Sequence, residues 1–322
     1  MKRVIVILAV VLLSSCYYSK TMKDGVIPVE IEHEIQSLFE QFLEGCKEGN
    51  PDKVLGVTTE AWREQYGNQF MQAIAGHRDY FDLEKYVVVN RFYWKGTQGR
   101  QVYFNSGTKT EPTKYDYSLP VTPEGKEVYV SVGYFDLPNM QPSLILIWTK
   151  MEGQWFLTYM NGGTWTIGHK GLVDWFEAGS KNYEEGDYVD ALLRLALANK
   201  FLGSGRLPLI YNNEKEIDRQ YREMFLKIAE HYHVPDTIGE ISTQPVVRRI
   251  TPEMVNDTLC PAIEYASALQ DSVSVAKECE ALHANVSRVY PGLDKNNSKI
   301  IYRVLDADRQ SIRYCFEKST RK

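Results

Sequence analysis

Apolar residues in the first part of the chain recur at helical spacing. The first stripe consists of Ile31, Ile35, Leu38, Phe39, Phe42 and Cys46. Steps of three and four residues place such a stripe on one face of a helix, and Gly49-Asn50-Pro51 supplies its end. The second stripe consists of Trp62, Tyr66, Phe70, Ile74 and His77. The pattern therefore predicts two amphipathic helices in succession, and the second stops before Asp82.

The hydrophobic period then changes from about 3.6 to 2. The candidate strands are Tyr86–Trp94, Gln101–Asn105, Glu127–Phe135, Ser143–Lys150 and Trp155–Asn161. They are rich in β-branched and aromatic residues, which favour strands, and the last two flank a short turn typical of a hairpin. Two helices followed by several antiparallel strands predict an α+β domain with helices across one face of a curved sheet.

The element order and the final hairpin, which contains Glu152-Gly153-Gln154-Trp155, resemble the NTF2-like (cystatin-like) α+β cone. The resemblance covers residues 28–163. It implies a pocket enclosed between the helices and the sheet. Proteins of this family serve as hydratases, isomerases, ligand binders or interaction modules, so the resemblance does not select a function.

Helical patterning resumes after Gly162-Gly163. Small and aromatic residues have the spacing of one tetratricopeptide repeat: Trp175, Ala178, Gly179, Gly186, Asp187, Tyr188, Ala191, Leu195 and Ala198. The resemblance covers residues 172–205 and departs from the family pattern at Asn182 and Gly203. A single repeat cannot bury its own faces, so we expect the helix Glu214–His231 to cover it.

The rest of the chain predicts a connector and two more helices. Residues 234–251 are rich in Pro, Gly and Thr, with a short strand at Val246–Ile250. One helix is marked by Val275, Cys279, Leu282, Val286 and Val289, and the other by Ile301, Leu305, Ile312 and Phe316. The sequence thus predicts an all-α region over residues 164–322.

The N-terminal segment has the features of a secretory leader. Lys2 and Arg3 precede the uncharged run Val4–Leu13, which is too short to span a bilayer. Leu13-Ser14-Ser15-Cys16 resembles the bacterial lipobox. This implies removal of residues 1–15, acylation of Cys16 with palmitate or similar chains, and a membrane partner held through this lipid anchor. The alternative is an ordinary secretory leader that ends in cysteine.

The lipobox resemblance also implies a location. Tyr17, in place of aspartate, follows the cysteine and favours the outer membrane of a bacterial cell envelope. Residues 16–27 are polar and without periodicity, which predicts a tether between lipid and fold. Loss of Lys2 and Arg3 changes the net charge from −5 to −7. That charge argues against nucleic acid or anionic lipid headgroups as binding partners.

Motifs that carry chemistry are scarce. The sequence has no Gly-x-Ser-x-Gly, His-Glu-x-x-His, P-loop or Cys-x-x-Cys string, so it predicts neither a metal nor a cofactor. His77 lies on the inward helical stripe, and Asp79 or Asp82 could orient it as a general base. These three residues are the candidate catalytic set. The alternative role of His77 is to stabilise a helix C-terminus.

Aromatic and cysteine residues give two further expectations. Tyr134, Trp148 and Tyr159 are candidates for an aromatic ligand-binding surface, although most strand aromatics form core. The remaining cysteines are Cys46, Cys260, Cys279 and Cys315. Two disulfides among these four could connect them in three ways. If the last two lie on an antiparallel helical hairpin, they are ~10 Å too far apart along its axis, and free thiols are expected.

These observations favour a membrane-anchored envelope lipoprotein that acts as a binding or scaffolding module for an unidentified ligand. One alternative is an NTF2-like hydratase, isomerase or hydrolase that uses His77 with Asp79 or Asp82. A second alternative is a helical hairpin that grips a peptide or partner chain in a groove beside residues 175–202.

Overall fold

The computed structural model describes residues 19–108, 110–202, 206–232, 234–306 and 311–320. The chain folds into two compact units. The N-terminal unit comprises the described residues up to Leu137, with Gln141–Trp165 and Leu207–Asn212. The C-terminal unit comprises Pro138–Met140, Thr166–Arg206 and the described residues from Asn213 onward.

Three helices begin the N-terminal unit: α1 (Val29–Glu48), α2 (Pro51–Gly56) and α3 (Glu60–Ala75). Helix α1 ends at Gly49 because this residue adopts the left-handed conformation (φ 69°) that glycine tolerates. The Asn50 side chain caps α2, and the Thr59 hydroxyl accepts a hydrogen bond from the Trp62 amide to cap α3. A glycine and two polar side chains next to the helices thus determine where α1 ends and where α2 and α3 begin.

The strands of this unit are β1 (Lys20–Lys23), β2 (Tyr86–Lys95), β3 (Val102–Asn105), β4 (Tyr117–Val121), β5 (Glu127–Phe135), β6 (Met140–Met151), β7 (Gln154–Ile167) and β8 (Ile210–Tyr211). They form a five-stranded sheet of order β1-β2-β5-β6-β7 and a three-stranded sheet of order β3-β4-β8. Strand β1 pairs with β2, so the chain is folded from Lys20 onward, whereas the sequence predicted a tether as far as Ile27.

The two faces of the five-stranded sheet line separate cores. Phe42, Tyr129 and Trp148 belong to the core that contains the helices, while Phe92 and Phe104 belong to the core shared with the small sheet. Alternating side chains along each strand point to opposite faces, which is why both faces are apolar. The space between α1 and the sheet is filled by aliphatic and aromatic side chains.

The C-terminal unit has helices α4 (Leu172–Glu184), α5 (Tyr188–Leu202), α6 (Glu214–His231) and α7 (Ser272–Val289). Helices α4 and α5 approach closely at Gly179. A Cβ at this position would lie only 2.8 Å from Leu195 Cγ, so a larger residue would force a shift. The strands are β9 (Asp236–Thr237), β10 (Val246–Val255), β11 (Thr258–Ser267), β12 (Lys299–Asp306) and β13 (Ile312–Ser319).

These strands form one sheet of order β13-β12-β11-β10-β9. Strands β11 and β12 are parallel, and α7 is the crossover that a parallel connection requires. The inner face of α7 is buried on the sheet through Val275, Cys279, Leu282 and Val286.

The predicted fold class is therefore wrong. The described chain is mixed α/β, with three sheets distributed along its length, and it is not an N-terminal α+β cone followed by an all-α region. Ile301, Leu305, Ile312 and Phe316 lie on β12 and β13, not on a helix. Steps of four residues are even, so they fit a strand's period of two as well as a helix.

The cysteine geometry expected for a helical hairpin does not apply, because one of the two helices is absent from the described chain. Cys315 lies exposed on β13, and Cys279 is buried on α7. Cys46 and Cys260 are buried, and all four are free thiols. In the part of the chain that the structure describes, no helix combines the length and apolarity needed to cross a bilayer.

Candidate functional site

An open cleft of about 660 Å³ lies between α3 and β7 in the N-terminal unit. We call it the aromatic cleft. Its lining residues are Thr59, Ala61, Trp62, Gln65, Tyr66, Gln69, Phe70, Ala73, Glu124, Thr158, Tyr159, Met160 and Asn161. Side chains from one face of α3 form one wall, because residues three, four and seven apart project from the same side of a helix.

A backbone hydrogen bond fixes the strand wall of the aromatic cleft next to the start of the helical wall. Strand β7 is an edge strand of the five-stranded sheet, and Leu157 forms an isolated parallel bridge with Thr58. The Leu157 amide donates to the Val57 carbonyl oxygen at 2.8 Å. Helix α3 starts two residues after this bridge, so its first turn is fixed against the strand.

Aromatic rings dominate the helical wall. Trp62 lies 5.9 Å from Tyr66 and 5.8 Å from Phe70 between ring centroids, in tilted and edge-on geometry. Tyr66 is 44% exposed, although Trp62 is only 9% exposed. The cluster therefore presents the Tyr66 ring to solvent and supports it with the buried Trp62 ring and the partly buried Phe70 ring.

The strand wall carries polar groups beside a second exposed ring. Tyr159 is 39% exposed, and partial burial raises its pKa although a hydrogen bond with the Asn161 side chain opposes that shift. Tyr159 is thus a neutral phenol at pH 7. The Asn161 Oδ1 atom is buried and has no hydrogen-bond partner in the described chain. This orphan acceptor needs a donor from water or from a ligand.

A smaller cavity of about 230 Å³ adjoins the aromatic cleft. Both cavities share Glu124, Thr158 and Tyr159. The Thr158 hydroxyl lies 2.8 Å from the Thr149 hydroxyl and donates to the Ile147 carbonyl at 3.2 Å, which fixes it between the two spaces. An elongated molecule could therefore continue from the cleft past Tyr159 into the smaller cavity.

The predicted catalytic residues do not line the aromatic cleft. His77 is exposed after the end of α3 and stacks on Tyr80 with ring centroids 5.2 Å apart. Asp79 is exposed, and Asp82 forms an ion pair with Lys47 at 3.4 Å. Within the described chain, no hydrogen bond joins His77 to either aspartate. The structure does not assemble an imidazole–carboxylate pair from these residues.

The three predicted ligand-binding aromatics are separated. Only Tyr159 lines the aromatic cleft. Trp148 is completely buried in the core beneath the helices, and Tyr134 stacks on Trp165 at 6.1 Å with nearly parallel rings. Cys16, the predicted lipidation site, lies outside the described residues.

Sequence reasoning placed Trp62 and Tyr66 on a buried stripe and so missed them as site residues. Glutamines at positions 65 and 69 flank these rings on the same helical face. Amides next to aromatic residues on an inward stripe are a signal that the face is only partly buried.

The described residues contain no group of three His, Cys, Asp or Glu side chains arranged to hold a metal ion. Comparison with protein-family models, curated proteins and solved structures finds no match to this chain.

Proposed function

We propose that the protein is a lipid-anchored binding module of the bacterial outer membrane, with a saccharide ligand in the aromatic cleft. The observation that carries the proposal is the pairing of exposed tyrosine rings with amides across an open cleft. A sugar ring has an apolar C–H face that packs on an aromatic ring and a rim of hydroxyls that bonds to amides.

The polar groups of the aromatic cleft fit this ligand class better than they fit a lipid. Gln65 and Gln69 lie on the helical wall, and Asn161 offers a buried acceptor on the opposite wall. An acyl chain would leave these amides without partners, which costs free energy. The open shape also suits a segment within a longer chain.

The saccharide proposal is tested by titrating bacterial and host oligosaccharides into the mature protein by calorimetry. Tyr66→Ala removes an exposed ring, and we expect it to weaken binding about tenfold, or ~1.4 kcal/mol, as for other aromatic contacts. Tyr103→Ala is the matched control, because Tyr103 is 52% exposed but lies outside the cleft. Equal affinity of both variants, or no binding by the native protein, contradicts the proposal.

The anchor is tested separately. We expect Cys16→Ser to abolish incorporation of radiolabelled palmitate and to release the protein from the membrane fraction. Unchanged labelling and fractionation would show that the lipobox interpretation is wrong.

A further inference from the structure

The chain enters the five-stranded sheet at one end of its strands, and several loops lie at the same end. The strand register places Lys20 opposite Lys95, and Lys95 opposite Glu127. Val128 in turn faces Thr149 near the end of β6. The start of β1, the end of β2, the start of β5 and the end of β6 therefore lie together. We call this region, with loops 96–101, 122–126 and 152–153, the anchor end.

Chain length limits how far the anchor end can lie from an acyl chain on Cys16. Lys20 is four residues after Cys16, and a fully extended chain spans at most ~3.5 Å per residue, or ~14 Å in total. The opposite end of β2 begins at Tyr86, ten residues from Lys95 by inclusive count, which adds ~30 Å along the strand. The chain between Cys16 and Lys20 can thus span less distance than the length of strand β2.

Charge distinguishes the anchor end from the flank of the unit. Exposed basic side chains at this end are Lys20, Lys95, Arg100 and Lys126, against the exposed acids Glu124 and Glu152 and the partly exposed Glu127, which pairs with Lys95 at 3.0 Å. Helix α1 on the flank exposes Glu30, Glu40 and Glu44. An anionic headgroup layer attracts basic groups and repels acidic ones within a Debye length.

We infer that the anchor end faces the bilayer and contacts anionic lipid headgroups while the acyl chains on Cys16 supply the attachment. This orientation rests on the lipid anchor of the proposed function. The short tether holds the start of β1 near the surface, and the charges select the end of the sheet over the acidic flank. The overall negative charge opposes attachment by electrostatics alone, but it does not oppose orientation of a protein already anchored.

The test places one fluorophore at either end of the sheet in acylated protein on vesicles of phosphatidylethanolamine and phosphatidylglycerol. Gln98→Cys labels the anchor end, and Glu84→Cys is the matched control, since both positions are exposed. Both are made with Cys315→Ser, which removes the exposed native thiol; Cys46, Cys260 and Cys279 are buried.

We expect a nitroxide on the lipid headgroups to quench the label at position 98 and to leave the label at position 84 unquenched. Insertion of about twelve Gly/Ser residues before Ser19 adds ~20 Å of mean reach and should reduce quenching at position 98, because only the charges then hold the anchor end at the surface. Equal quenching at both positions overturns the orientation, and so does stronger quenching at position 84 than at position 98. If Cys16→Ser protein still floats with the vesicles, the lipid anchor itself fails, and with it the basis of the inference.

Discussion

The buried carboxylate of Asp190 offers the sharpest test of the C-terminal unit. Asp190 lies in the first turn of α5 and is 2% exposed. Its oxygens accept hydrogen bonds from Nδ2 of Asn296 at 2.6 Å and from Nδ2 of Asn297 at 3.1 Å, and Arg194 Nη1 lies 3.6 Å away. These bonds join the helical hairpin to the loop that precedes β12.

Asp190→Ala removes both hydrogen bonds to a charged acceptor. Such bonds contribute about 1.5–3 kcal/mol each. Asn296 is exposed and regains water, and Asn297 keeps its 2.9 Å bond to the Leu293 carbonyl. We therefore expect a loss of about 2–4 kcal/mol in the unfolding free energy, toward the lower end of the additive range.

The assay is native-state hydrogen exchange read on peptides by mass spectrometry, because two compact units can unfold separately. Exchange within α5 should accelerate by about 30- to 1,000-fold in Asp190→Ala. Peptides from β5 and β6 serve as the internal control. Asn296→Ala removes one of the two hydrogen bonds to the buried carboxylate and should cost less than Asp190→Ala, about 1–2 kcal/mol. A change below ~1 kcal/mol in Asp190→Ala would refute the reasoning.

Two further predictions concern charged groups of the same unit. Glu278 is 3% exposed and neither carboxylate oxygen has a hydrogen-bond partner in the described chain, so Glu278→Met should raise the unfolding free energy by about 1–3 kcal/mol. A lower Tm in thermal unfolding would contradict this. The hydrogen bond from Lys295 lowers the pKa of Asp187, whose contribution to stability is present above about pH 4 and lost as pH falls through the folded-state pKa. Asp187→Asn should therefore flatten the dependence of the urea midpoint on pH below about 4, and an unchanged slope would argue against the pair.

Helices α1 and α3 could be predicted from sequence because their boundaries are local, whereas the six-residue α2 is too short to show a helical period and was not predicted. Thr59 caps α3, and Gly49 supplies the left-handed end of α1. Each signal acts within one turn of chain, so no distant contact is needed to interpret it.

Strand β11 could not be predicted in the same way. Pro261 lies inside this central strand, and proline usually indicates an edge strand or a loop. The pairing of β11 with β12 begins only at Ala262, so the N–H that Pro261 lacks removes no hydrogen bond from that ladder. On its other side Pro261 lies opposite Pro252 of β10, so the register with both neighbouring strands decides where the proline is tolerated.

The aromatic cleft could not be predicted either, because its exposure also depends on a strand that is distant in sequence. The sequence placed Trp62 and Tyr66 on one inward face of a helix, as the structure does, but it did not identify either ring as a site residue. Tyr66 is exposed because β7 is the last strand of its sheet and covers only part of α3. The width of the sheet decides which rings are covered.

The sequence by itself determined the end of α1, the tight hairpin between β6 and β7, and the alternation of the strands, because these depend on backbone preferences over a few residues. Tertiary structure alone decided that residues 299–306 and 312–319 form strands and that an open cleft remains beside α3. Both outcomes depend on strands brought together from distant parts of the chain. A four-residue spacing of apolar residues fits both a helix and a strand, so only the pairing partners decide between the two.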